Sequence, residues 1–106
     1  MGIGALKRPG NGYRKGVFTK SGTTLVPSEF PFELGWVYVI PECRNDGIGQ
    51  RIVDAILGVA ADQRIFATSR STNEAMHKRL KRSGFIREGE PFLSNLGDHT
   101  LVLFVR

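Results

Sequence analysis

The sequence has 106 residues, 41% of them apolar and 24% charged, which fits one globular domain, residues 1–106, whose core needs neither a disulfide nor a metal. No apolar run approaches the length of a membrane span, the N-terminus has no signal-peptide pattern, and the single cysteine, Cys43, cannot form an internal disulfide, so we expect a cytoplasmic protein. The net charge of +5 favours an anionic ligand, either nucleic acid, a membrane surface or a phosphorylated cofactor.

The first third of the chain is predicted to contain three strands and a loop. Residues 2–8 form a candidate strand that ends at the turn-forming run beginning with Pro9, and weak alternation in residues 13–20 favours a second strand of a hairpin. Residues 21–31 are polar and contain Gly and Pro, which is typical of a loop. Residues 36–40 are an unbroken apolar run, which predicts a strand covered on both faces.

A helix that begins with a glycine turn is predicted over residues 47–61. Apolar residues recur at helical spacing in this segment, and Gly47 and Gly49 open it. Such a turn leaves several backbone N–H groups pointing to one spot at the positive end of the helix dipole, which suits a phosphate. The residues that follow, Gln50 and Arg51, do not match a Walker A loop, and the glycine spacing does not match a dinucleotide fingerprint.

The second half is predicted to contain a strand, a helix and two further strands. Residues 64–69 follow the helix after a very short connection, which indicates a βαβ unit with parallel neighbours. Ser71 to Glu74 has the form of a capping box with Ser71 as the N-cap. The helix after it is expected to bury Ala75, Met76 and Leu80 and to end at a left-handed Gly84. The last two strands, residues 85–87 and 100–105, are expected to pair antiparallel across a polar turn region, residues 88–99.

Two motifs in this order resemble one known family. The spacing R-x-x-G-x-G from Arg44 to Gly49 follows a Val-Tyr-Val strand and a Pro, and Asn73 opens a helix that ends in Gly84 and Phe85. Together they resemble the GNAT superfamily of acyl-CoA-dependent N-acyltransferases over about residues 33–106.

The resemblance implies an α/β fold, a mixed sheet with two helices that splays between the strands at residues 36–40 and 64–69. Family members usually begin with a strand and one or two helices that form a wall of the acceptor pocket, whereas residues 1–7 already resemble the hairpin strand that follows them. We therefore expect a short member that lacks these elements. Its acceptor site would be open, and its uncovered apolar surface would favour a homodimer.

The resemblance also implies an acetyl-CoA-dependent N-acetyltransferase in which a primary amine, on a small molecule or a peptide, attacks the acetyl thioester directly. The protein must position both substrates, accept a proton and stabilise the developing oxyanion with backbone donors. No metal is implied. The residues that the resemblance assigns to cofactor binding are Val37, Tyr38, Val39, Arg44, Asn45, Asp46, Gly47, Ile48, Gly49, Gln50 and Asn73.

Three departures from the family pattern concern catalysis and the turn. Asn45 stands where a glycine is usual, and Asn tolerates left-handed backbone angles. Leu80 stands where many members carry a tyrosine thought to protonate the departing thiolate, and Thr68 where one branch has a glutamate base. Glu33 is the candidate base, since several branches place a carboxylate at the beginning of this strand. The alternative, a strand-end carboxylate exposed to water, stays open.

Other polar residues and other functions are interpreted as follows. His77 and His99 show no carboxylate partner in the sequence and are interpreted as surface residues, and Tyr13 and Tyr38 as packing residues.

The missing tyrosine leaves a non-catalytic or weakly catalytic acyl-CoA-binding module as an alternative. Nucleic-acid binding is not expected because base-stacking aromatics on a sheet face and a helix-turn-helix pattern are both missing, and no membrane partner is expected.

Overall fold

The computed structural model describes residues 2–39, 47–60, 62–95 and 97–106. The elements are β1 (Gly2–Lys7), α1 (Asn11–Ser21), a short 3₁₀ turn (Pro27–Glu29), β2 (Phe32–Val39), α2 (Ile48–Ala60), β3 (Ile65–Arg70), α3 (Glu74–Arg82), β4 (Ile86–Leu93) and β5 (Thr100–Val105). The strands form one mixed sheet in the order β1-β2-β3-β5-β4, in which β2 and β3 are parallel and the other pairs antiparallel. The predicted α/β fold is confirmed. None of the described helices is long and apolar enough to cross a membrane.

The prediction of a strand at residues 13–20 is wrong, because this segment belongs to helix α1. Its buried residues are Arg14, Val17, Phe18 and Ser21. This spacing is helical, but two of the four side chains are polar, so the apolar periodicity was hidden in the sequence. The described residues therefore contain three α-helices instead of the two expected, and α1 lies between β1 and β2, where the sequence predicted a hairpin strand and a loop.

The core consists of two layers, one on each face of the sheet. Successive residues of β5 face opposite layers: Val102 and Phe104 pack with α2 and α3, whereas Leu103 and Val105 pack with α1. The helices contribute Val53 and Leu57 from α2, Leu80 from α3, and Val17 and Phe18 from α1. Helix α1 is therefore a structural layer that covers the sheet face opposite α2 and α3.

Strand β4 is longer than predicted and holds the end of α1. The strand runs to Leu93. The turn region was predicted over residues 88–99, but only residues 94–99 lie between β4 and β5. The pairing with β5 shifts between Glu88 and Phe92, and Gly89 within this bulge has φ 71°. A Cβ at Gly89 would lie 2.3 Å from the carbonyl oxygen of Ser21, so only glycine permits this approach of the two backbones.

Helix α3 begins two residues later than the predicted capping box. Its N-cap is Asn73 instead of Ser71, and the Asn73 side chain accepts a hydrogen bond from the Met76 N–H at 3.2 Å. The Ser71 hydroxyl instead bonds the Thr100 hydroxyl. Because of this, Ala75 is exposed and not buried as predicted. The left-handed Gly84 at the end of the helix is confirmed, with φ 89°.

Candidate active site

A cleft opens where the parallel strands β2 and β3 diverge. They pair only at Phe32 with Ile65 and at Glu33 with Phe66, although both strands continue beyond these positions. The splay that the sequence predicted is therefore present. The cleft between the strands has a volume of about 380 Å³, and its lining includes Lys7, Tyr13, Glu33, Gly35, Thr68, Arg70, Asn73 and His99.

Glu33 lies at the point of divergence, as the last residue of β2 that pairs with β3. It is 4% exposed, which excludes the water-exposed interpretation. Tyr13 donates a hydrogen bond through its hydroxyl to Glu33 Oε2 at 2.9 Å, and Lys7 Nζ lies 3.8 Å from Oε1. Burial raises the pKa of Glu33, and Tyr13 and Lys7 offset part of this rise. The carboxyl is thus a better proton acceptor than an ordinary surface glutamate.

Tyr13 has a polar role that sequence reasoning missed. Burial and the neighbouring Glu33 carboxylate raise the pKa of Tyr13 to about 12, so the phenol stays protonated and donates to Glu33. The sequence carried no clear signal for this role, because the polar residues Arg14 and Ser21 hide the helical spacing of α1. Lys7 was also missed. Only the register between β1 and β2, which pairs Lys7 directly with Glu33, identifies it as a neighbour.

The two histidines differ from the sequence interpretation. His99 lines the cleft and pairs through Nδ1 with the adjacent Asp98, whose pKa this hydrogen bond lowers. His77 is half-buried: its ring packs 5.1 Å from that of Phe104, and its Nε2 lies 2.9 Å from the Arg70 carbonyl oxygen. The interpretation of both as plain surface residues is therefore wrong, and of the two only His99 lines the cleft.

The N-terminus of α2 provides a cradle for an anion. Gly47 has φ 75°, and Gly49 is buried. A Cβ at Gly49 would lie 2.5 Å from the guanidinium carbon of Arg79, so this cation from α3 lies directly over the first turn. The Arg51 N–H donates to the Gly47 carbonyl oxygen, and α2 begins at Ile48. The N–H groups of the first turn of an α-helix generally have no intrahelical partner, and they lie at the positive end of the helix dipole. The cradle fits a phosphate.

The other predicted cofactor residues are only partly tested by the structure. Arg44, Asn45 and Asp46 lie outside the described residues, as does Cys43. The Gln50 side chain donates to Asp54 at 3.0 Å and to Ser83 at 2.6 Å, so it joins α2 to α3. Ile48 lies in the same first turn of α2.

The strand segment predicted to pair with the cofactor arm has one edge available. Val37, Tyr38 and Val39 pair with β1 at Gly4, Ile3 and Gly2. In the described part of the chain, β3 does not pair with these residues, so their other edge faces the splay. Asn73 lies on the cleft wall across the splay.

Leu80 is fully buried among apolar side chains in the core layer formed with α2. A phenol there would have to displace core side chains and bury a hydroxyl. We expect Leu80→Tyr to lower the free energy of unfolding by about 1–3 kcal/mol, as measured by denaturant unfolding. A variant as stable as the parent, with faster acetyl transfer, would contradict this expectation.

Comparison with known proteins identifies the family. In fold, the chain is similar to the crystal structure of Arabidopsis thaliana NAA60 in complex with a bisubstrate analogue, with a TM-score of 0.60 and 16% identity over 71% of this chain and 47% of that one. It spans about half the length of that structure. It is also similar to the ribosomal-protein-S18-alanine N-acetyltransferase from Escherichia coli, with a TM-score of 0.58 and 9% identity over 97% of this chain and 92% of that one.

At these identities the structural similarities establish the fold alone. No curated protein sequence matches the chain. The sequence model of the acetyltransferase (GNAT) family matches residues 14–85, about two thirds of the chain. The protein therefore belongs to the acetyltransferase (GNAT) family.

Proposed function

We propose that the protein is an acetyl-CoA-dependent N-acetyltransferase that transfers an acetyl group to a primary amine by direct attack, with Glu33 as the proton acceptor. The observation that carries the proposal is the buried Glu33 carboxylate at the point where β2 and β3 diverge. When bound, acetyl-CoA supplies the acetyl group as a thioester. The acceptor amine belongs to a small molecule or a peptide, and one of the two structural neighbours is named as an N-acetyltransferase of an alanine of a ribosomal protein.

The proton acceptor is held by two neighbours. Tyr13 occupies Oε2 of Glu33 by donating a hydrogen bond, and Lys7 lies near Oε1 without reaching hydrogen-bonding distance. Oε1 is therefore the oxygen available to an incoming ammonium or to a bridging water. General-base assistance of this kind contributes roughly 10²- to 10⁴-fold to a rate.

Positioning of the cofactor is assigned to two parts of the chain. The first-turn N–H groups at Ile48 and Gly49, with Arg79 above them, would hold the pyrophosphate. The edge of residues 37–39 that faces the splay would pair with the amide groups of the cofactor arm. The register between β1 and β2 shifts between Gly4 and Leu6, so that β2 has one residue more than β1 there. Such a bulge generally bends the strand and leaves backbone groups of the extra residue outside the ladder. These groups are candidates for stabilising the oxyanion.

Mass spectrometry of the purified protein for co-purifying CoA, followed by calorimetric titration with acetyl-CoA, tests the proposal. We expect a one-to-one complex with acetyl-CoA. Failure to bind acetyl-CoA at millimolar concentration would contradict the proposed function in both its catalytic and its binding form.

A second candidate is a non-catalytic or weakly catalytic acyl-CoA-binding module. It is favoured by one observation: Leu80, which stands at the family's tyrosine position, is fully buried and has no group that can donate a proton. Tight acetyl-CoA binding without turnover on any amine would select this candidate. A cytoplasmic location is proposed for either.

The hydrogen bond from Tyr13 should set the pH dependence of the reaction. It stabilises the ionised form of Glu33 and so lowers its pKa, while burial raises it. Removing the hydroxyl in Tyr13→Phe therefore raises the Glu33 pKa further. We expect the rising limb of the profile of kcat/KM against pH to move to higher pH, with little change in the acetyl-CoA Kd. An unmoved limb would show that Tyr13 does not act on the proton acceptor.

The homodimer stays a prediction. Helix α1 covers a sheet face that we expected to be open, but strand β4 lies at the edge of the sheet and exposes Ile86 and Leu93. An open edge strand favours pairing with another chain. We expect light scattering to show a weak dimer that Ile86→Lys dissociates, and a concentration-independent monomer would contradict the prediction.

A further inference from the structure

The charged side chains of the cleft indicate which amines fit it. Lys7 lies on the wall formed by β1 and β2, and Arg70 ends β3 on the opposite wall. Glu33 lies where the two walls meet. A molecule that places its amine at Glu33 therefore extends outward between two cations.

Lys7 is held in this position by Gly35. The Lys7 stem packs on the glycine, where a Cβ would lie 2.9 Å from Lys7 Cε, so a larger residue at position 35 would displace it. The Lys7 side chain is 47% exposed and its Nζ is 3.8 Å from Glu33 Oε1, so its charge is directed into the cleft and is only partly neutralised by Glu33.

The balance of charge is positive at the place where the acceptor must enter. Among the described lining residues, the fixed charges are Lys7 and Arg70 against Glu33, while Tyr13 is neutral and His99 is paired with Asp98 outside the lining. Asp98 also faces Arg70 and reduces its effect in part. The Glu33 carboxylate attracts the reacting ammonium, whereas a second ammonium on the same molecule would lie between Lys7 and Arg70 and be repelled by both.

We propose that the acceptor is a primary amine that carries a carboxylate a few bonds from its nitrogen, and that Lys7 and Arg70 bind that carboxylate. This inference rests on the proposed N-acetyltransferase function. The carboxylate belongs either to a free amino acid or to an acidic residue at the N-terminus of a peptide. Both place the same two groups in the cleft.

The test compares acetyl transfer from acetyl-CoA to three amines of similar length: β-alanine, β-alaninamide and 1,3-diaminopropane. We expect kcat/KM to be about tenfold higher for β-alanine than for the amide, since each partly exposed cation contributes roughly three- to fivefold. The diamine should be the poorest acceptor. A peptide that begins with Asp, compared with the same peptide beginning with Asn, distinguishes the peptide source of the carboxylate from the free amino acid.

Variants of the two cations assign the preference to its residues. Lys7→Met keeps the stem over Gly35, and Arg70→Met removes a cation that makes no contact with Glu33 in the described contacts. Each should reduce the ratio of kcat/KM for β-alanine over the amide by roughly three- to fivefold. Any effect of Lys7 on Glu33 cancels in this ratio, because both acceptors give up their proton to the same Glu33 carboxylate. Lys15→Met, an exposed cation of α1 outside the cleft, should leave the ratio unchanged.

Three contradicting outcomes are distinguishable. Turnover with equal or greater kcat/KM for the amide or the diamine contradicts this inference and leaves the proposed function in place. Absence of turnover with every amine contradicts the proposed function and this inference together. A ratio that falls equally in Lys15→Met would show that overall charge, and not the cleft, sets the preference.

Discussion

Glu33→Gln lowers kcat by roughly 10²- to 10⁴-fold and leaves the acetyl-CoA Kd nearly unchanged, if Glu33 accepts the proton of the amine. The amide is of the same size, and its oxygen can still accept the hydrogen bond from Tyr13 that the carboxylate accepts at 2.9 Å. The fold is therefore kept while the proton acceptor is removed. Steady-state kinetics across pH, with calorimetry for acetyl-CoA, measures both quantities.

Glu29→Gln is the matched control for this substitution. Glu29 is also a carboxylate beside a cation, with Oε1 3.8 Å from Arg64 Nη1, but it lies at the surface away from the cleft. It should have parent kinetics. Equal rates for Glu33→Gln and the parent at every pH would exclude Glu33 as the proton acceptor.

Gly49→Val should weaken acetyl-CoA binding by about 2–4 kcal/mol, roughly 30- to 1,000-fold in Kd, the scale of losing several charge-assisted N–H bonds to phosphate. The new Cβ would lie 2.5 Å from the Arg79 guanidinium carbon, so Arg79 must move and the side chain fills the cradle over the first turn of α2. Titration calorimetry measures the change.

Gly58→Val controls for the lower helix propensity of valine in the same helix. Gly58 is exposed in the last turns of α2, and a Cβ there meets nothing within 4 Å. Its acetyl-CoA Kd should match that of the parent. Parent-like binding by Gly49→Val would show that the phosphates are not held at the N-terminus of α2.

The part of the fold that local pattern determines was predictable. The βαβ unit of β2, α2 and β3 has an apolar run, a glycine turn and helical periodicity in succession, and its order and parallel pairing are confirmed, although β2 begins at Phe32, four residues before the predicted strand. Helix α1 was missed because its buried stripe contains Arg14 and Ser21, whose polar side chains hide the apolar periodicity. The close approach of Gly89 to the Ser21 backbone could not be predicted from local pattern either, since the two residues are far apart in the sequence.

The candidate site was predictable only in part. Glu33 was predicted from the family resemblance, which places a carboxylate at the start of this strand, and the glycine turn from its spacing. Tyr13 and Lys7 become its neighbours only through the packing of α1 and the register of β1, neither of which has a local sequence signal. In the sequence, Arg79 is one of a group of cations on α3, and nothing local distinguishes it from the others. It lies three residues after Met76, on the helix face that turns toward α2.

Direct measurement of acetyl transfer tests whether the protein is an N-acetyltransferase with Glu33 as its proton acceptor. Purified protein is incubated with acetyl-CoA and β-alanine, and the release of free CoA thiol and the formation of the N-acetylated amine are followed together by mass spectrometry, with Glu33→Gln in parallel. Both products should form in equal amounts, and their rate should fall at least a hundredfold in Glu33→Gln. Thiol release without acetylated amine, or equal rates for the two proteins, would contradict the proposal.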